Sequence, residues 1–301
     1  MAIDQAQFAE LTDLDPILTD IYIDHYNLVP DQTGIFFGMR SSSKSKETDL
    51  RIGGFKDPVE WDTNGGQVNY QEVDKGYEIT YTPAKYTNGF QVTQEMLEDQ
   101  QYETIFGMAS ELGTSTQRFR QKKAFSVFEN AFTAGSTAGY DGKALCANDH
   151  PRSKADSTAV DNALTLALNS ANLETAIVQH MGLKDDLGEE ITIMPNILLT
   201  GRALRKTSLE LTGSELTPES ANNAANVHNT LQSVISPYIT GNKWFVIDLM
   251  MAKRYLKWIN RILPEFSAES DFDHDMRKFK MRMRFDYGWS DFRWIIGSNP
   301  D

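Results

Sequence analysis

The run KFKMRMRF at residues 278–285 is the most regular pattern in the sequence. Its apolar side chains alternate with basic ones, which predicts a β-strand with one apolar face and one cationic face. Four like charges along one side of a strand repel each other, so the row needs acidic groups nearby. Those groups can belong to the same chain, to a neighbouring subunit or to a ligand. The alternatives are a row exposed to plain solvent and a row that binds nucleic acid.

The charge of the chain is distributed unevenly. Residues 276–294 contain six basic and two acidic side chains, whereas residues 1–40 contain seven acidic side chains and one basic side chain. These opposite charges could attract each other within a subunit or between subunits. The alternative is that both runs are faces exposed to water, which is the usual role of charge runs.

The longest helix candidate covers residues 93–134. Thr93 is a suitable N-cap, and apolar side chains recur along the segment at spacings of three, four and seven. Gly107 and Gly113 suggest a break into a short helix and a long one. A continuous helix would be about 60 Å long, at roughly 1.5 Å per residue. Such a helix suits the spine of an elongated subunit better than a compact enzyme.

Residues 41–92 predict a long β-hairpin. Glycine-rich turn signals occur at 53–54, 64–66 and 75–76, and residues 77–82 alternate as a strand does. An isolated two-stranded ribbon is marginally stable in water. We therefore expect support from outside the subunit. The alternative is a small sheet packed on the same chain.

The remaining segments predict a mixture of helices and strands, which indicates the α+β class. Residues 14–21 predict a short helix within the acidic arm. The other predicted helices are 161–187 and 201–211. The predicted strands are 34–37, 191–199, 244–247 and 292–297. Residues 212–230 are polar and predict a loop.

The composition excludes several classes of protein. The chain has 301 residues, 40% of them hydrophobic, and a formal net charge of −13. It can build a sizeable core but is a poor general nucleic-acid binder. The single cysteine excludes an intramolecular disulfide framework and a cysteine-rich zinc site. No apolar run approaches the roughly 18 residues of a membrane span, and the first residues do not resemble a signal peptide.

Few residues suggest catalysis. Cys146 and His150 are four residues apart and could form the nucleophile and base of a soluble cysteine hydrolase. Asp149 with His150, and the acidic turn at residues 271–275, are weak candidates for a metal site, because four suitably spaced ligands are not visible. The sequence contains no GxxxxGKS/T, GxGxxG, GxSxG or HExxH motif. We therefore expect no catalytic residue, no cofactor and no metal.

The order of the segments and several local motifs resemble a known family. Residues 141–145 (DGKAL) and 148–151 (NDHP) follow the long helix, and residues 287–289 (YGW) and 294–298 (WIIGS) lie near the end. Together with the arm, hairpin and helix, they resemble the major capsid protein of tailed bacteriophages, and more specifically the Mu-like major head subunit family. Cys146 departs from the pattern, since we expect a bulkier apolar residue there.

The resemblance covers nearly the whole chain and implies an α+β fold of the Hong Kong 97 type. Its expected parts are an N-arm (1–40), an E-loop hairpin (41–92), a peripheral domain with the spine helix (93–187), an axial domain (188–240) and strands that return to the peripheral domain (241–301).

The resemblance also implies self-assembly into the hexamers and pentamers of an icosahedral virion shell. The shell would enclose double-stranded DNA without sequence-specific binding, and its subunits would be made in the host cytoplasm. Scaffolding, portal and decoration proteins are the expected partners, and a membrane is not. An encapsulin-type shell around cargo enzymes has the same fold and is the alternative. The residues expected at subunit interfaces are Phe55, Trp61, Tyr70, Tyr77, Lys278, Lys280, Arg282 and Arg284.

Overall fold

The computed structural model describes residues 14–58, 60–61, 66, 68, 70, 75–135, 139–214 and 225–300. The predictions for residues 1–13, for most of the hairpin between 59 and 74, and for the middle of the polar loop 212–230 lie outside these residues. Within them the chain mixes helices with β-sheets, as the sequence predicts.

The α-helices of the described residues are α1 (Leu14–Leu28), α2 (Thr33–Phe36), α3 (Gln94–Glu98), α4 (Tyr102–Glu129), α5 (Ser170–Met181), α6 (Arg205–Gly213) and α7 (Leu249–Tyr255). Short 3-10 helices are Arg202–Leu204, Val227–Thr230 and Phe272–His274. The strands are β1 (Gly38–Ser41), β2 (Glu47–Ile52), β3 (Lys75–Tyr81), β4 (Ala84–Thr93), β5 (His150–Pro151), β6 (Ala159–Val160), β7 (Ala163–Leu164), β8 (Ile197–Gly201), β9 (Gln232–Ser236), β10 (Trp244–Ile247), β11 (Leu256–Asp271), β12 (Met276–Trp289) and β13 (Ile295–Ser298).

A four-stranded sheet has the order β1-β11-β12-β4, in which only β1 runs parallel to its neighbour. The run at 278–285 lies in β12, in the middle of this sheet. Its four apolar side chains are at most 4% exposed, because they face the helices that cover the sheet. The predicted strand with one buried face is therefore confirmed.

A five-stranded sheet has the order β7-β13-β10-β8-β9. Every residue of β8, β10 and β13 is buried, as expected for strands covered on both faces. The predicted final segment 241–301 therefore divides between two sheets. Its strands β11 and β12 belong to the sheet that contains β4, whereas β10 and β13 belong to the sheet that contains β8.

Helix α4 is continuous from its start, so the predicted break at Gly107 or Gly113 is wrong. The break lies earlier, where Gln100 adopts a positive φ of 58° between α3 and α4, and Thr93 caps the short α3. Gly113 has a packing role instead. A Cβ atom at this position would lie 2.5 Å from the carbonyl oxygen of Tyr22, so only glycine lets α1 cross α4 this closely.

The second half of α4 joins the two large sheets in one core. Phe125 and Phe128 are buried within the largest apolar cluster. The ring of Phe128 packs 5.8 Å from Phe245 of β10 and 6.1 Å from Trp294. The same cluster includes Met283 of β12, so both sheets are held by this helix.

The arm differs from its prediction at residues 34–37, which form helix α2 and the turn after it rather than a strand. The carboxylate of Asp31 accepts a hydrogen bond from the backbone N–H of Thr33 at 2.9 Å, which favours a helical turn at this point. Strand β1 begins only at Gly38, parallel to β11.

Strands β2 and β3 form a two-stranded antiparallel ribbon that runs from Glu47 and Tyr81 to Ile52 and Lys75. Ile79 and Tyr81 are buried in the main core, which confirms the predicted alternation in β3. The base of the ribbon therefore packs on its own chain, the alternative left open by the sequence.

The other predicted elements are mostly shorter than expected. Of the helix predicted at 161–187, only the residues of α5 are helical. The strand predicted at 191–199 begins at Ile197, after Pro195. The strand predicted at 244–247 matches β10. The longest strand, β11, was not predicted, because Pro264 resembles a strand breaker. Register shifts on both sides of Ile262 accommodate the proline.

Candidate functional site

The basic row of β12 finds acidic partners on the neighbouring strand of the same chain. The ammonium of Lys278 pairs with Asp271. Arg282 lies opposite Glu265 and donates to its carboxylate at 2.7 Å. Arg284 donates instead to the carbonyl oxygen of Pro83 at 3.2 Å. Two of the four cations, Lys278 and Arg282, are thus neutralised within the subunit.

Lys280 is the exception in this row. It is exposed and lies opposite Ser267 on β11 and Gly89 on β4. Neither neighbour carries a charge, and Lys280 makes no ion pair with any residue that the structure describes. It is therefore the member of the row best placed to meet an acidic group of another molecule.

The acidic arm meets the basic strand within one chain. The guanidinium of Arg277 donates to the carboxylate of Asp15 in α1 at 2.5 Å. This contact anchors the start of α1 beside β12. The sequence left open whether the two charged ends attract within or between subunits, and this pair lies within.

The aromatic side chains predicted at interfaces fall into two groups. Phe55, Trp61 and Tyr70 are 66%, 58% and 88% exposed. Tyr77 instead packs edge-on against Tyr140 of the same chain, with ring centroids 5.0 Å apart. The described part of the chain leaves each of the first three rings uncovered. Large uncovered apolar surfaces typically mark sites of association.

A cluster of largely buried charges clamps the ribbon to the body of the subunit, and no sequence motif indicates it. Arg51 of β2 donates to Asp186 at 2.7 Å and lies 2.9 Å from Asp291. Arg293 pairs with the same two carboxylates, at 3.1 Å and 3.2 Å. The two arginines and two aspartates neutralise one another. We name these four residues the ribbon clamp.

The pKa shifts within the ribbon clamp show how strongly it is shielded from water. Burial lowers the pKa of Arg51, but the carboxylate of Asp291 and other neighbours outweigh burial, and the net pKa is raised. For Asp186, burial is the largest influence and raises the pKa despite both arginines. Arg293 also donates to the carbonyl oxygens of Lys184 and Arg152, each at 2.6 Å. The clamp is therefore tied to backbone as well as to side chains.

The candidate nucleophile and base do not form a catalytic pair. Cys146 is buried, and burial raises the pKa of its thiol, which disfavours the reactive thiolate. Both ring nitrogens of His150 are already hydrogen-bonded, Nδ1 to Asp141 at 2.6 Å and Nε2 to the carbonyl oxygen of Leu145 at 3.2 Å. The ring also stacks 4.0 Å from Phe292. The histidine thus holds the loop after α4 against the core.

The acidic turn at 271–275 is occupied by ion pairs within the chain. Asp271 accepts from His274 at 3.0 Å and pairs with Lys278. These partners lower the pKa of Asp271 to about 2. Among the described residues, no group of three or more histidine, cysteine, aspartate or glutamate side chains is arranged to hold a metal ion. No described helix has the length and apolar character needed to cross a bilayer.

Comparisons with known proteins agree with this architecture. A family model described as phage capsid protein matches residues 76–297, which is well over half of the chain. The bacteriophage PhiM1 mature capsid is 11% identical, with a TM-score of 0.59 over 90% of this chain and 87% of that one. The Microbacterium phage Oxtober96 structure is 13% identical, with a TM-score of 0.56 over the full length of both chains.

A third similar structure is that of a virus-like particle. The virus-like particle from Pyrococcus furiosus is 10% identical, with a TM-score of 0.57 over 96% of this chain and 100% of that one. No curated protein matches the sequence. The likeness to these solved structures confirms the predicted α+β fold of the Hong Kong 97 type.

Proposed function

The chain belongs to the phage capsid protein family, and from that premise we propose that its copies assemble as hexamers and pentamers of a closed icosahedral shell around double-stranded DNA. Family and fold together make it a major capsid protein of the type found in tailed phages. Its role is accordingly structural, and it is a component of the virion capsid. The Mu-like subfamily remains a prediction.

The observation that carries the proposed assembly is the contrast between the two ends of the ribbon. Its base is fixed by the ribbon clamp and by the buried Ile79 and Tyr81. Farther out, Ile52 and Phe55 are 65% and 66% exposed. A firmly held element that carries uncovered apolar side chains fits a surface on a neighbouring copy.

The proposed division of the chain follows the resemblance. Residues 1–40 would be the N-arm, 41–92 the E-loop, 93–187 the peripheral domain and 188–240 most of the axial domain. Of the final segment 241–301, the part with β12 lies in the sheet that α4 covers, and the part with β10 and β13 lies in the sheet that contains β8. We propose that this segment belongs to both domains.

The proposed interface residues differ in how free they are to contact a neighbouring subunit. Phe55, Trp61 and Tyr70 are exposed and suit contacts with a neighbouring subunit, while Tyr77 contributes through its fixed position at the ribbon. In the basic row, Lys280 is the strongest candidate. The other proposed members have partners in their own chain and would contribute less: Lys278, Arg282 and Arg284.

The test of assembly is negative-stain electron microscopy of the purified chain, with light scattering on the same fraction. Closed shells, or rings of five or six subunits, would support the proposal. A homogeneous monomer at several salt concentrations, and also after co-expression with a scaffolding protein from the same phage, would contradict it. The net charge of −13 suits an enclosure in which packaged DNA does not adhere.

An encapsulin-type shell around protein cargo is the second candidate, favoured by the likeness to the Pyrococcus furiosus particle. The content of isolated particles distinguishes the two. Nuclease-protected double-stranded DNA in particles from infected or induced cells would support the phage head, whereas a stoichiometric cargo enzyme would support the second candidate. Scaffolding, portal and decoration proteins, and synthesis in the host cytoplasm, belong to the first proposal.

A further inference from the structure

A groove with an aromatic floor and basic rim lies beside α4, on the side of β4. It has a volume of about 790 Å³. Phe119 and Tyr86 form part of its floor, with ring centroids 5.1 Å apart. Its rim carries the exposed side chains of Lys85, Arg118 and Lys122. We name it the α4 groove.

The cations of the α4 groove are not neutralised by the subunit. Lys85, Arg118 and Lys122 make no ion pair with any described residue, unlike Lys278 and Arg282 on β12. Lys123, next to the rim, lies over the rings of Tyr86 and Phe119 at 5.9 Å and 5.6 Å. The groove thus offers an unsatisfied positive charge around an apolar floor.

The outward side of α1 has the opposite character. Asp20 and Asp24 are exposed one turn apart, and within the described part of the chain neither forms an ion pair. Ile23 lies between them and is 45% exposed. This surface, which we name the α1 face, is therefore acidic with an apolar centre.

The α1 face and the α4 groove lie on opposite flanks of the same long helix. Gly113 faces α1, since a Cβ there would meet the backbone of Tyr22. Lys122, on the groove rim, follows Gly113 by about two and a half turns of roughly 3.6 residues, so it projects to the other side. One subunit therefore cannot bring these two surfaces together directly.

The two surfaces match in spacing as well as in charge. Asp20 and Asp24 are four residues apart on α1, and Arg118 and Lys122 are four residues apart on α4. Such pairs lie about 6 Å apart on a helix. Between these charges, Ile23 is the exposed apolar side chain of α1, and Phe119 is the apolar side chain of α4.

We propose that the α1 face of one subunit docks into the α4 groove of a second copy. Asp20 and Asp24 then pair with Arg118 and Lys122, and Ile23 contacts the aromatic floor at Phe119. Because the two surfaces lie on opposite flanks of α4, the contact is head-to-tail and can close into a ring. This inference rests on the proposed function, for which it names one contact between adjacent subunits.

A charge exchange tests the pairing. The variants Asp20→Lys/Asp24→Lys and Arg118→Glu/Lys122→Glu should each lower the yield of shells or rings at least about tenfold, because like charges then face each other. The four substitutions combined in one chain should restore much of the yield. Circular dichroism and thermal unfolding must show that each variant is folded. Exposed charges of α6 provide the matched control, Lys206→Glu/Glu210→Lys.

Several results would overturn the inference. They are full assembly of both reversed variants, failure of the combined variant to recover while it is folded, and an equal loss in the α6 control. If the Arg118→Glu/Lys122→Glu variant alone loses encapsidated DNA while its shells form normally, then the groove binds nucleic acid rather than a second copy. In that case the proposed function would stand and the docking contact would not.

A cross-linking test does not depend on complete shells. A chain with Ile23→Cys is mixed with a chain with Phe119→Cys, and the mixture is mildly oxidised. A disulfide-linked dimer should form in the mixture and not in either chain alone, since the natural Cys146 is buried. The control mixture replaces Phe119→Cys by Leu209→Cys, an exposed site on α6. Absence of the dimer, or equal dimer in the control, would overturn the inference even where wild-type assembly succeeds.

Discussion

The sequence predicts that strand β12 and the β2–β3 ribbon both contact other molecules. In the structure, the side chains of the two regions find their partners in different places. In β12 the basic side chains of Lys278 and Arg282 pair with aspartate and glutamate on β11, and the apolar side chains fill the core. In the ribbon, Ile52 and Phe55 stay exposed beyond the ribbon clamp. A charged row can be satisfied by the next strand of its own sheet, whereas apolar side chains on a projecting ribbon need another subunit.

We expect the largest loss of stability from a substitution that disrupts the ribbon clamp. Asp291→Ala removes a carboxylate that both Arg51 and Arg293 contact, and the arginines remain buried with too little negative charge. We expect the free energy of unfolding to fall by about 3–5 kcal/mol, as measured by urea denaturation. Glu210→Ala, in an exposed pair with Lys206, is the control and should cost less than about 0.5 kcal/mol. Similar losses in both would contradict a buried clamp.

The next prediction compares an apolar side chain of each region. Met283→Ala in β12 should lower the free energy of unfolding by about 2–5 kcal/mol, because it leaves a cavity in the core. Phe55→Ala on the ribbon should change it by less than about 0.5 kcal/mol and should instead lower the yield of assembled shells in electron microscopy. If Phe55→Ala destabilises the isolated subunit as strongly, the ribbon belongs to the core and the comparison fails.

Substitutions in the basic row of β12 should change stability less, and they should distinguish Arg282 from Lys280. Arg282→Gln removes an exposed pair with Glu265 and should cost at most about 1 kcal/mol. Lys280→Gln has no described partner to lose, so subunit stability should stay within about 0.5 kcal/mol. Assembly should respond in the opposite order, with Lys280→Gln the more harmful. Equal assembly of the two variants, measured by light scattering, would remove Lys280 from the proposed interface.

The smallest expected effect is a change in the pKa of Asp271, which is measured by titration. The pKa of Asp271 is lowered from 3.8 to about 2, first by Lys278 and then by His274. A lowered pKa means that this contact contributes fully above the ordinary value and is lost as the pH falls towards 2. Carboxyl resonances followed by NMR should show this, and Lys278→Gln should raise the pKa of Asp271. An unchanged pKa in that variant would show that the pair has no influence.

The contrast between the regions also explains what the sequence could predict. The β12 pattern is local, with period two and two chemically distinct faces, so the strand and its buried face follow from eight residues. Strand β11 was missed since its bulges around Pro264 interrupt the alternation. The strand expected at 34–37 was wrong: these residues form α2 and the turn after it, and the carboxylate of Asp31 accepts a hydrogen bond from the backbone N–H of Thr33 where the helix begins.

The candidate sites also include features that the sequence predicts and features that it does not. Exposure of Phe55 and Tyr70 could be expected from their place among turn signals. The ribbon clamp could not be expected from the sequence, because Arg51 lies 135 residues from Asp186 and only the fold brings them together. The family resemblance rested on the order of the segments and on short motifs at residues 141–151 and 287–298, and His150 of the first motif packs into the core.

The position of the late strands has a consequence for translation. Strand β12 lies between β11 and β4, and β13 lies between β7 and β10. A nascent chain that has not reached residue 298 therefore lacks an inner strand of the five-stranded sheet, and one short of 276 lacks an inner strand of both. Folding of such long-range sheets waits for these contacts. Met281 of β12 lines part of the α4 groove, so a chain released before residue 276 lacks part of the proposed docking surface.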